Sequence, residues 1–325
     1  MEKIKLTELK KIPYIDVAHI NGRTIPLLSF YDSEEWHFWF PRAGRLVNVK
    51  AKPAESDYFA REPEKDTDIY FSFLNFINQR AFWPSVAHLI NSIRVDLHNL
   101  GASLGKLDLF YEASKDKSVE VNRFVATELE YIFIVCRSIF DLLQEIIAKL
   151  WDKIELVEKN ISKRQLPKSF RRMIINNNSL MEVEAIQKQF RIPKALAEFY
   201  SRQAPFFQML RNYRDNIAHR GHEFKFIYVT EKGFAVDKDQ QPFASFNVWN
   251  EEHMLPNGLS SLRPAIAYVI IKTLTACEDF SNTIQQIILF PPDIAPGFKL
   301  FLRGYYNKEL LYMNEILENC MWWDT

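Results

Sequence analysis

Residues 129–150 read Leu129-Glu130-Tyr131-Ile132-Phe133-Ile134-Val135-Cys136-Arg137-Ser138-Ile139-Phe140-Asp141-Leu142-Leu143-Gln144-Glu145-Ile146-Ile147-Ala148-Lys149-Leu150. Apolar side chains at 129, 132, 133, 136, 139, 140, 143, 146, 147 and 150 keep a 3-1-3 spacing. Steps of three and four return to the same side of a helix with 3.6 residues per turn, so the spacing predicts one amphipathic helix, here from about Val119 to Glu158.

Working outward, the same period recurs. Pro84 to Gly101 is apolar at Val86, Leu89, Ile90, Ile93 and Leu97, with Pro84 suited to a first helical position. Lys194 to His219 is a third helix, which Pro205 is expected to kink or divide. Ser260 to Leu289 is a fourth, stopped by Pro291-Pro292, and Lys308 to Trp323 is a C-terminal helix. Before residue 79 the period shortens. Tyr14 to Ile25 reads as two short strands around an Asn21-Gly22 turn, followed by strand-like runs at 36–40 and 46–49. The charged, proline-flanked stretch from Lys50 to Asp68 reads as a loop. Phe224 to Val236 reads as a β-hairpin turning at Glu231-Lys232-Gly233. The expected organisation is an N-terminal β-rich region, 1–78, and a helical domain, 79–325, with a hairpin insertion near 223–248.

Charged residues cancel over the 325 positions, with 41 Lys and Arg against 41 Asp and Glu. Overall charge therefore gives no argument for a polyanionic partner. Its distribution does. Between Lys159 and Lys225 there are 14 Lys and Arg but only 5 Asp and Glu, an excess of +9 balanced by −9 elsewhere. Three cysteines, Cys136, Cys277 and Cys320, have no metal-ligand spacing and fit a reducing compartment. No apolar run reaches 18 residues and the first eleven residues lack a signal-peptide core, so a cytoplasmic chain without a membrane span is expected. His88, His98 and His253 have no ligand partner at useful spacing, and no cofactor is expected.

The chemistry concentrates in Arg214-Asp215-Asn216-Ile217-Ala218-His219, at the end of the third helix and just before Gly221. Arg214 supplies a planar cation that fits phosphate oxygens. A histidine in a last helical turn feels the negative end of the helix dipole, which favours the imidazolium. Five positions apart on one helix means a rotation of about 140°, so convergence on one point needs the helix to end or distort there. Asp215 and Asn216 are placed to orient either group. The bland reading is that Arg, Asp and His here only complement the helix end.

This run is similar to the R-x4-6-H motif of the HEPN superfamily, many of whose members are metal-independent ribonucleases. The resemblance covers about residues 84–290 in architecture and one motif in sequence. It implies a mainly α fold, a HEPN-like helical bundle with an inserted β-hairpin and a small N-terminal β-containing region. It further implies a homodimer with two facing motifs, RNA as substrate, attack by the ribose 2′-OH, and a role in phage defence or as a toxin with an antitoxin or regulatory partner. By motif position Arg214 holds phosphate and His219 moves the proton, with Asp215 beside them. Arg137 and Asp141, four apart on the second helix, read either as a surface ion pair or as lining the cleft, since HEPN sites often borrow polar residues from that helix. Arg211, Asn216 and Arg220 are further substrate-binding candidates. The basic stretch with Lys163, Arg164, Lys168, Arg171 and Arg172 reads equally as a solvated loop or a backbone-binding stripe. The run Trp36-His37-Phe38-Trp39-Phe40 reads as strand core or as a base-stacking surface. A catalytically silent helical module that binds RNA or protein is the competing reading.

Overall fold

The structure, a computed structural model, describes residues 4–116, 118–220 and 227–324, with the backbone alone for 214–220, 252 and 256. After a short helix α1 (Leu6–Leu9), strands β1 (Ser29–Tyr31), β2 (Trp36–Arg42), β3 (Arg45–Val49), β4 (Ser56–Ala60) and β5 (Ile69–Tyr70) follow in close succession. Helices α2 (Ser72–Arg80), α3 (Ala87–Ser114) and α4 (Asn122–Leu150) come next, then α5 (Phe170–Ile174) and a two-stranded hairpin, β6 (Ile175–Asn176) and β7 (Ser179–Leu180). Helices α6 (Val183–Phe190) and α7 (Lys194–Arg220) lead to a three-stranded sheet of β8 (Tyr228–Thr230), β9 (Gly233–Asp237) and β10 (Leu259–Ser261). The chain ends with α8 (Leu262–Ile287), β11 (Lys299–Arg303), α9 (Asn307–Leu311) and α10 (Met313–Glu318).

The expected mainly α bundle is not what forms. The chain is 49% helical and 14% strand, and its N-terminal strands belong to a mixed six-stranded sheet ordered β3-β2-β1-β4-β11-β5. Strand β11 arrives from the far end of the chain and pairs antiparallel with both β4 and β5. The β1–β4 pair is parallel. Two strands lie in places where periodicity gives no sign of them. β4 falls inside the stretch expected to be a loop, yet Tyr58, Phe59 and Ala60 are fully buried. β11 is five residues long, and its partners lie more than two hundred positions away in sequence.

The sheet alternates as a pleated strand must. Phe30, Phe59, Leu300 and Leu302 join the main apolar core, while Trp36, Tyr58, Ala60 and Phe301 form a small cluster of their own. The core runs without interruption from Leu9 to Ile316, and the sheet and helices share it. Helix α2 packs on β11 and α8; Asn75 Oδ1 accepts from Leu300 N at 2.9 Å. Helix α4 packs against α3, α7 and α8, and every position of its predicted stripe is buried.

Other expectations change in detail. Asn21 and Gly22 do take positive φ, 47° and 76°, but no strands flank them. Arg23 ties the turn to its surroundings instead: its guanidinium donates to the backbone oxygens of His19, Ile20, Gln79 and Pro292. The hairpin with paired strands is β2–β3, turning at Ala43-Gly44, both at positive φ. Helix α7 runs through Pro205 as a single element. The C-terminal helix is two short ones meeting at Tyr312.

Candidate functional site

Helix α7 docks antiparallel on α4 through a ladder of aromatic and polar contacts. Tyr200 donates to Gln144 Oε1 at 2.5 Å, Phe206 and Phe207 lie 5.9 and 5.7 Å from Phe140, and Tyr213 lies 4.7 Å from Phe133. Residue numbers rise on one helix as they fall on the other, so the motif end of α7 lies beside the N-terminal part of α4. Tyr213 is buried, and desolvation, then the charge of Glu130, raises its phenol pKa far above the ordinary range. Glu130 was not among the residues expected near the motif.

The backbone of α7 is helical through Arg220, so positions 214 and 219 belong to one continuous helix. Helical phase then puts positions 211, 215 and 219 within an arc of about 80°, roughly opposite the side that buries Leu210 and Tyr213. Position 214 stands about 60° from 211, at the flank of that arc. Asp215 and His219 are thus one turn apart on a shared face; the helix end expected at Gly221 lies outside the described residues. The side chains of Arg214, Asp215, Asn216, His219 and Arg220 lie outside the described residues. Arg211 is half-buried.

Arg137 and Asp141 come together as an ion pair of 2.7 Å. Asp141 Oδ1 also accepts from Phe170 N at 3.0 Å, at the start of α5, while the Arg137 guanidinium lies 5.8 Å from the centre of the Phe207 ring. The α4–α7 register sets this pair level with residues near 205–209, roughly 15–21 Å along the axis from position 219. These contacts fasten α5 to the α4–α7 layer.

The basic stretch divides. Lys163 Nζ donates to the carbonyls of Trp151 and Ile154 at 2.7 Å each, and Arg164 Nη1 to Gln189 O at 3.3 Å. Those two side chains cap and tie backbone. Lys168, Arg171 and Arg172 are exposed and form no ion pair among the described residues. Arg171 and Arg172 border an open recess of about 540 Å³ with Asn177 and Asn178, the positive-φ turn of the β6–β7 hairpin. In the aromatic run, Trp36 is buried against Tyr58, and Phe38 is exposed.

His88 lies 3.2 Å from Lys149 Nζ, and His98 lies between Glu55 and Asp57 at 3.8 and 3.7 Å. Among the described residues no group of three or more His, Cys, Asp or Glu is arranged to hold a metal ion. The three cysteines are buried and free; burial pushes the Cys136 thiol up to about 12. No helix among the described residues is long and apolar enough to cross a membrane.

A further cleft lies away from these candidates, between α3, the start of α8 and α9–α10, around Asp108, Arg263, Glu309 and Trp323. Sequence spacing carried no signal for it, because its residues are spread over more than two hundred positions. Comparison of the chain with protein-family models, with curated proteins and with solved structures finds no match.

Proposed function

We propose that this protein is a metal-independent endoribonuclease that acts from the end of α7, in prokaryotic phage defence or as a toxin. What supports the reading is the shared face of Asp215 and His219 on α7; the unbroken helix sets Arg214 about 140° from His219, so the two meet at one phosphate only across the facing motifs of a dimer. On the described backbone, which is helical through Arg220, Asp215 lies one turn from His219 on the same face. That order suits a proton-transfer histidine, with a carboxylate placed to orient the ring. Arg214, at the flank of that face, supplies the cation for a phosphate.

In the reaction, the ribose 2′-oxygen attacks the adjacent phosphorus and gives its proton to a neutral His219. A protonated His219 gives a proton to the departing 5′-oxygen. The products are a 2′,3′-cyclic phosphate and a 5′-hydroxyl. Two imidazoles in opposite protonation states suit this better than one, which supports a two-fold homodimer in the cytoplasm with facing motifs. Labelled RNA incubated with the protein and EDTA tests the reading. Cleavage to cyclic-phosphate ends is expected, with loss of cleavage in His219→Ala at nearly unchanged melting temperature. A dependence on Mg²⁺, or normal cleavage by His219→Ala, refutes it.

The exposed cations at Lys168, Arg171 and Arg172 favour a second reading, a catalytically silent module that binds RNA by charge. It predicts RNA binding without any cleavage by the wild-type chain.

A further inference from the structure

Two adjoining cavities of about 370 and 350 Å³ share Asp108, Arg263, Glu309 and Trp323 and together form one cleft. Its floor is apolar: Leu104, Leu107, Ile266, Met313 and Ile316 are all buried. The C-terminal segment closes one side and is firmly held. Trp323 Nε1 donates to Asp108 Oδ1 at 2.9 Å, and Trp323 N donates to Lys232 O at 3.0 Å. Arg263 Nη1 donates to Trp322 O at 2.7 Å, with its guanidinium 5.6 Å from the centre of the Trp323 ring. On the other side the Tyr306 ring lies so close to α3 that a Cβ at Gly105 would fall 2.5 Å from it. The walls are therefore fixed before any ligand arrives.

The three charges inside are only partly matched. The Glu309 carboxylate has no hydrogen bond or ion pair among the described residues, and Asp108 keeps one oxygen open after accepting from Trp323. Arg263 uses one of its five donors on a carbonyl, and neither carboxylate is within ion-pair distance of it. Burial raises the pKa of both carboxylates and lowers that of Arg263, the signature of charges removed from water without full compensation. Two acceptor groups, one planar donor and an apolar floor call for a molecule carrying a cation, an anion and an apolar body at short range.

We propose that this cleft binds a free α-amino acid with an apolar side chain. Its ammonium sits between Asp108 and Glu309, its carboxylate on Arg263, and its side chain on the Leu104–Ile266–Met313 floor. The site stands independently of the ribonuclease reading, since none of its residues belongs to α7.

Calorimetry and thermal unfolding of the full chain test it, with L-leucine and L-phenylalanine as probes. Isopentylamine, which lacks the carboxylate, and 4-methylpentanoate, which lacks the ammonium, serve as controls. Saturable binding of at least one amino acid is expected, with both controls weaker by about tenfold or more. Glu309→Gln, on the half-exposed rim, is expected to weaken the amino acid by a similar factor without lowering the melting temperature of the free protein. Arg263→Lys is expected to weaken 4-methylpentanoate and leucine but not isopentylamine. No binding at millimolar amino acid overturns the proposal. So does a control that binds as tightly as leucine, or an unchanged affinity in Glu309→Gln.

Discussion

The ring of Tyr213 lies 4.7 Å from that of Phe133, one residue ahead of Arg214. Through this contact the last turns of α7 are held against α4, and the phase of the motif follows from it. Phe133 is 1% exposed, so Phe133→Ala removes a buried ring and leaves a cavity. The expected loss is about 3–5 kcal/mol in chemical denaturation. A loss under about 1 kcal/mol would show that the core collapses around the gap and that this pair does not hold the helix end.

Arg214 and Asp215 separate binding from proton transfer. Arg214→Ala is expected to weaken RNA binding and cleavage together, because a charge-assisted phosphate contact is lost. Asp215→Asn is expected to lower the cleavage rate with little change in binding, since it removes only the orienting charge beside His219. Gel-shift titration in parallel with single-turnover cleavage distinguishes them. Equal loss of affinity in both variants would contradict the division of roles.

The recess bordered by Arg171 and Arg172 gives a salt-dependence test. Replacing both with Ala is expected to reduce the slope of log K against log salt by about 1.4 for single-stranded RNA, two contacts at roughly 0.7 each. The cleavage pattern is expected to stay the same. Asp141→Ala loosens α5, which carries both arginines, and is expected to weaken binding in the same direction. An unchanged slope assigns the two arginines to solvent.

Acid stability has a defined source in the sheet. Burial pushes the Glu64 carboxyl up, but Lys52 at 2.7 Å and Arg303 at 2.5 Å outweigh it and hold the pKa at about 2, below its ordinary 4.5. A depressed folded-state value contributes stability that is full above about pH 4.5 and is lost as pH falls toward 2. The contribution is on the order of 3 kcal/mol. Glu64→Gln is expected to lower stability at pH 7 and to flatten its decline between pH 4.5 and 2, measured by urea denaturation across pH. An unchanged acid limb would place the sensitivity in other carboxylates.

The sequence alone determined where the long helices lie, although α3 continues to Ser114, thirteen residues past the Gly101 expected as its end. The stripe from Leu129 to Leu150 is entirely buried, and Lys194 and Leu262 begin helices close to where the period places them. Helical periodicity is a local property, written in side chains three and four apart, and one window of sequence holds all of it. The same locality made the Arg214–His219 run legible as a candidate site. Tertiary structure decided the sheet. β4 and β11 are five residues each, and their order comes from partners more than two hundred positions apart, which no window contains. The Asn21-Gly22 turn kept its backbone conformation without flanking strands, and Arg23 beside it bonds carbonyls of Gln79 and Pro292 from distant parts of the chain. The cleft around Asp108, Arg263 and Glu309 likewise exists only once α3, α8 and α9 are packed. Charges scattered along a chain acquire shared chemistry when folding removes the water between them.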